Sequence, residues 1–135
     1  MNELTSLKSV ERPAKPNTAY FVPYGVDTVS GPDAASPVFD VPADTLFATA
    51  IELWSGLTRV ELVTLYDLNR RAHFIAKTAL MRFKDDISLE VVELADGQSS
   101  VILYSASRVG YSDLGTNRKR VEQWLELLKE RVERA

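Results

Sequence analysis

Between Arg59 and Ser107 the sequence passes four times through a short run of β-branched, aromatic and aliphatic residues, with only a few turn-forming residues between runs. This restricts the fold more than any other feature. Strands joined by short connections pair antiparallel, whereas a parallel pair needs a crossover of about a dozen residues or more. RVELVTLYD leads into DLNRR, whose Asp and Asn suit a hairpin turn. Along RAHFIAKTALM, alternation sets Ala72, Phe74, Ala76, Thr78 and Leu80 on one face, the expected core face, with His73, Ile75, Lys77, Ala79 and Met81 on the other. ISLEVVEL then alternates Ile87, Leu89 and Val91 against Ser88 and Glu90. Ala95-Asp96-Gly97-Gln98 supplies a turn, and SVILYSAS the fourth strand.

Two stretches follow the helical period instead. VFDV reads as a short strand, after which Pro42 suits the first turn of a helix carrying Leu46, Phe47, Ala50, Ile51 and Trp54 on one stripe and stopping at Gly56. From about Ser112, Leu114, Val121, Leu125, Leu128 and Val132 share a face that Trp124 broadens, while Glu122, Glu126, Lys129, Glu130, Arg131 and Arg134 make a solvated side. The predicted order is β-α-β-β-β-β-α in the α+β class: one curved antiparallel sheet with both helices on one face. The helices are expected near Ala43–Ser55 and Ser112–Arg134. By analogy of fold, this order suits the saddle of TATA-binding protein and the smaller helix-grip domains, neither of which fixes a function. A packed core is expected to bring Phe74, Leu80, Leu89, Leu103, Trp124 and Leu128 together.

All six prolines lie at or before residue 42, and proline fixes φ and removes a hydrogen-bond donor. The chain therefore divides into an extended Pro-rich arm, residues 1–36, and a single α+β domain, residues 37–135. Tyr20, Phe21, Val22 and Tyr24 are too apolar for a solvated tail, so the arm is expected to pack on the domain or on a second copy of it. That leaves a homo-oligomer open.

Composition removes several function classes. With no Cys, thiol nucleophiles, disulfides and zinc fingers are excluded, and His73 as the one histidine excludes sites that need two. His73 itself is expected to serve packing or the surface. No metal and no cofactor are expected. Net charge is −3, a bulk field that does not attract nucleic acid. No run approaches the roughly 20 apolar residues of a membrane span, and the first residues lack a signal peptide's apolar stretch, so a cytoplasmic location is expected.

The most specific stretch is SASRVGYSDLGTNRKRVE, from Ser105, with FKDD about 20 residues upstream. This combination resembles the domain-of-unknown-function 1499 family, whose members carry F-x-D-D near the middle and an S-R-x-G-x-S-D-x-G-x-N-R-x-R block before a closing helix. The resemblance runs over about residues 37–125 and implies no assigned activity. Members also carry a Cys after Pro-Asn in the arm. Here Thr18 follows Pro16-Asn17, so a thiol role in relatives has no counterpart.

The same block has a physical reading of its own. Gly110 and Gly115 permit a sharp turn from strand to helix. Ser112 and Asp113 are good N-cap types, and Asn117, on the face shared with Val121, must find partners against the sheet. Arg108, Arg118 and Arg120 cluster near the helix start, where cations are disfavoured, so something negative should compensate. One answer is internal: Asp85, Asp86 and Asp113 pair with Arg108 and Arg118. Another is external: Arg108, Ser112, Asn117, Arg118 and Arg120 hold an anionic head group. In a third, Asp85 and Asp86 work as paired carboxylates, which needs a bulge to bring them to one face. The reading adopted is a non-enzymatic small-molecule-binding or scaffold domain, with an apolar or anionic small molecule as partner. One alternative is a protein-interaction module using the aromatic arm or a sheet edge. The other is an enzyme using acid–base chemistry of Asp85, Asp86, Tyr104 and Tyr111.

Overall fold

The period-two segments become strands where the pattern sets them: β3 (Val60–Tyr66), β4 (Arg71–Lys77), β5 (Lys84–Glu93) and β6 (Ser99–Ser107) follow the strands of the arm described below and pair antiparallel in sequence order. The computed structural model describes residues 5–110 and 112–134. Register puts Phe74 opposite Ile87 and Leu89 opposite Leu103, so cross-strand neighbours on the inner face are apolar. The helices are α1 (Ala43–Ser55) and α2 (Thr116–Arg134). In α1, Ala43, Leu46, Phe47, Ala50 and Trp54 are buried, the i, i+3, i+4 recurrence of a single helix face. In α2, Asn117, Val121, Trp124, Leu125 and Leu128 are buried. Both helices cover the same side of the sheet in one core.

The sheet has six strands, because the proline-rich arm supplies two of them: β1 (Thr18–Pro23) and β2 (Ala34–Ser36). The order across the sheet is β2-β1-β6-β5-β4-β3, and β1 pairs antiparallel with β6 but parallel with β2. The sheet is thus mixed rather than purely antiparallel. The loop from Pro23 to Ala34, long enough to bring the chain back alongside in the same direction, allows this. The short strand expected at VFDV is a single bridge between Phe39 and Ser99; Pro37 and Pro42 on either side leave no room for a ladder.

The arm also covers the outer face. Leu7 and Val10 bury against Tyr20, Val22 and Ile102. Glu90 accepts from the Leu7 backbone N–H at 2.7 Å and from the Ser6 hydroxyl, and Arg71 donates to the Thr5 carbonyl at 2.6 Å. Arg12 forms a two-pronged ion pair with Asp33 at 2.9 Å. Of the arm's aromatics, Tyr20 and Phe21 are buried, but Tyr24 is 95% exposed, since β1 ends at Pro23 and Gly25 turns the chain with φ +88°.

Two residues expected in the core lie outside it. Leu80 is 89% and Leu114 90% exposed, because β4 stops at Lys77 and α2 starts only at Thr116. Each therefore falls in a turn beyond the element whose periodicity suggested burial. At the centre of the core, Trp54, Phe74 and Trp124 pack as a triad with ring centroids 5.1 to 6.1 Å apart. The Trp54 indole N–H donates to the Trp124 carbonyl at 3.1 Å.

Candidate functional site

The block after β6 builds the start of α2 around a buried polar knot. Asp113 caps the helix: its carboxylate accepts from the Gly115 N–H at 2.8 Å and the Asn117 N–H at 3.0 Å. Leu114 and Gly115 both have positive φ, 54° and 83°, and two such residues in succession turn the chain into the helix; glycine takes this region without a Cβ penalty. Asn117 is fully buried. Its amide N–H groups lie within donating distance of the Asn17 carbonyl, the Ser107 hydroxyl and the Asp113 carboxylate, and its oxygen accepts from Ser105 and from Arg120 at 3.0 Å. One amide thus ties the residue before β1 to β6 and α2.

Arg120 reaches from α2 to Asp85 on β5, Nη2 to Oδ2 2.8 Å. Asp85 is 2% exposed, and this oxygen makes no directed hydrogen bond despite the close charge contact. Asp86, one residue on, faces the other side of the sheet. There Arg108 grips it with two contacts of 2.8 Å, and His73 Nε2 lies 2.7 Å from Oδ1. The hydrogen bond from Arg108 outweighs burial and holds the Asp86 carboxyl below the usual carboxylate range. Burial raises the phenols of Tyr20 and Tyr104, which pack edge to face at 5.7 Å.

The structure accordingly divides the residues singled out in the sequence. Asn117 and Arg120 meet Asp85 in the interior, whereas Arg108 joins Asp86 on the outer face. Arg118 points outward, 3.6 Å from Glu122 and over the Phe21 ring with 5.6 Å to its centroid. Ser112 is exposed and accepts from the Leu114 N–H. No bulge joins Asp85 and Asp86 on one face, and both keep ladder partners in β4 and β6. Tyr111 lies outside the described residues.

Where α2 begins, helix and sheet diverge and leave an open groove of about 600 Å³. Val60, Ala76, Trp124 and Leu127 give it apolar walls, and Arg59, Lys77, Lys119 and Arg120 also line it. A second hollow of about 310 Å³ adjoins it at Thr78 and Thr116, bordered by Phe83, Asp85, Val109 and Leu114. The Arg120–Asp85 pair stands between the two. Arg59, Lys77 and Lys119 come from a turn, a strand end and a helix and share no local motif, so no sequence pattern marks them.

No curated protein matches the sequence. Among solved structures, the chain is similar to Ara h 8.0201 (TM-score 0.53, 11% identity, covering 74% of this chain and 95% of that one). It is also similar to the di-domain ARO/CYC StfQ of the steffimycin biosynthetic pathway (TM-score 0.57, 10% identity, 73% of this chain but 44% of that one). A third likeness is to a protein of Thermobifida fusca solved by NMR (TM-score 0.52, 16% identity, 87% and 93%). At these identities the likeness is one of fold, the helix-grip arrangement of a long helix held against a curved sheet. The sequence matches the family described as Protein of unknown function (DUF1499) over residues 12–128, a span that takes in the arm's strands as well as the closing helix, and the chain belongs to that family.

Proposed function

We propose that the chain is a non-enzymatic binding domain that holds a small amphiphilic molecule in the groove beside the start of α2. The observation that carries this reading is the groove itself, about 600 Å³ with apolar walls and polar groups along them, the composition usual for small-molecule sites. The aromatic triad fills the interior beside the groove, with Trp124 shared between the triad and the groove wall, so a ligand is confined to the groove. The helix-grip likeness supports the architecture of such a site and says nothing of its chemistry.

A second reading, a protein-docking module, is favoured by one observation. Leu80, Met81, Phe83, Val109 and Leu114 are exposed in the turns around the two hollows, and apolar side chains grouped on a surface mark contact sites. Native mass spectrometry of the protein purified from its own source distinguishes the two. The binding-domain reading expects a small-molecule adduct that is lost on denaturation. Protein that carries no adduct, and whose melting temperature no amphiphile raises, would count against it.

A further inference from the structure

The start of α2 carries Arg118, Lys119 and Arg120 with no acidic residue in the first turn, an arrangement the helix dipole disfavours. Two of the three are compensated within the molecule: Arg120 by Asp85 at 2.8 Å and Arg118 by Glu122 at 3.6 Å. Lys119 is not. Among the described residues, none of Lys119, Arg59 and Lys77 takes part in an ion pair, yet all three border the same groove, and no Asp or Glu lines it. This concentration of one sign occurs in a chain whose net charge is −3. Arg59 is also held at φ 60°, a region that costs a non-glycine residue energy. Its carbonyl accepts from the Lys77 N–H at 2.9 Å, which fixes these two residues side by side at the end of β4, on the border of the groove.

We infer that the ligand is an anionic amphiphile, an alkyl chain ending in a single carboxylate or phosphate. Its acid group lies among Lys119, Arg59 and Lys77, and its chain lies along Val60, Ala76, Trp124 and Leu127. The inference rests on the groove being a binding site and adds the charge and polarity of what it takes. Arg120 contributes little attraction, since Asp85 already neutralises it, and serves as the floor. An apolar wall of this size with three unpaired cations at its edge discriminates against neutral chains, because a neutral head leaves those cations uncompensated.

Intrinsic tryptophan fluorescence tests this directly: Trp124 lines the groove and Trp54 packs on it. The probes are decanoate, its neutral counterpart decanol, and inorganic phosphate. The variants are Lys119→Glu and Arg59→Glu, both at exposed positions where charge reversal leaves the core intact. Decanoate is expected to bind more tightly than decanol and to weaken as ionic strength rises from about 0.02 to about 0.5 M. It is also expected to lose about tenfold or more in affinity in either variant, while decanol binding is unchanged. Equal binding of decanoate and decanol, indifferent to both variants, would overturn the anionic assignment and leave the groove as an apolar site. Inorganic phosphate binding as tightly as decanoate would remove the alkyl chain from the proposal. Binding of none of the probes to the parent protein would overturn the groove reading and the inference together.

Discussion

Asp85 and Asp86 are adjacent, and the alternation of a strand gives them opposite surroundings. Asp85 and Arg120 are both nearly removed from water, with side-chain exposures of 3% and 12%, so deleting either partner leaves a buried charge without its counter-ion, at a cost of about 3–5 kcal/mol. Asp85→Ala and Arg120→Ala should each destabilise by that order. The double variant should lose clearly less than the sum, which denaturant titrations of the four proteins would measure. Additive losses would mean that the pair is not coupled. The Arg108–Asp86 pair is more open, with side-chain exposures of 43% and 33%, and solvent screens such pairs. Arg108→Ala should therefore lower the melting temperature only modestly, and less so in high salt. The pH dependence has a definite sign. The folded Asp86 carboxyl titrates below its ordinary value of 3.8, so the pair's stabilisation is fully present above that pH and is lost as pH falls through the folded value. The gap in melting temperature between parent and Arg108→Ala should close as pH falls below 3.8; a gap that persists after the carboxyl protonates would contradict this.

Among the elements, strands with one covered face show their alternation in the sequence, whereas β1 and β6 are covered on both, and β6 is legible only through the turn that precedes it. β4 and β5 alternate because one side meets the helices and the other is more open, and their pattern shows in the sequence. β1 instead has Phe21 and Ala19 under α2 and Tyr20 and Val22 under the arm, so it appears as an unbroken apolar run, the usual mark of a strand buried on both faces. That is why the segment reads as an arm, although it lies inside the sheet. Leu7 anchors the outer cover and is fully buried. Leu7→Ala should cost about 2–5 kcal/mol, a large effect for a residue so near the chain start. A loss under about 0.5 kcal/mol in a denaturant titration would mean that the segment does not pack there in solution. The helix ends are legible to within a few residues, but Leu80 and Leu114 fall in exposed turns, because periodicity carries no signal for where an element stops.

For the whole molecule, the antiparallel core, the two helices on one face and the buried role of Asn117 all follow from patterns local to a strand or a helix. The groove does not. Its cations stand at residues 59, 77 and 119, and only the pairing of β3 with β4 and the path of α2 beside them bring the three to one groove. The block of residues 105–122 marks the place without naming those three, since most of its polar residues serve to join helix to sheet. This end of the molecule is where the ligand is proposed to bind. The most direct measurement is a ¹⁵N–¹H NMR titration of the labelled protein with decanoate. Saturable shifts are predicted for the amides of Lys77, Ala79, Lys119, Gln123 and Leu127, with His73, Asp86 and Arg108 on the outer face unmoved. Shifts confined to the outer face, or none at all at saturating decanoate, would contradict it.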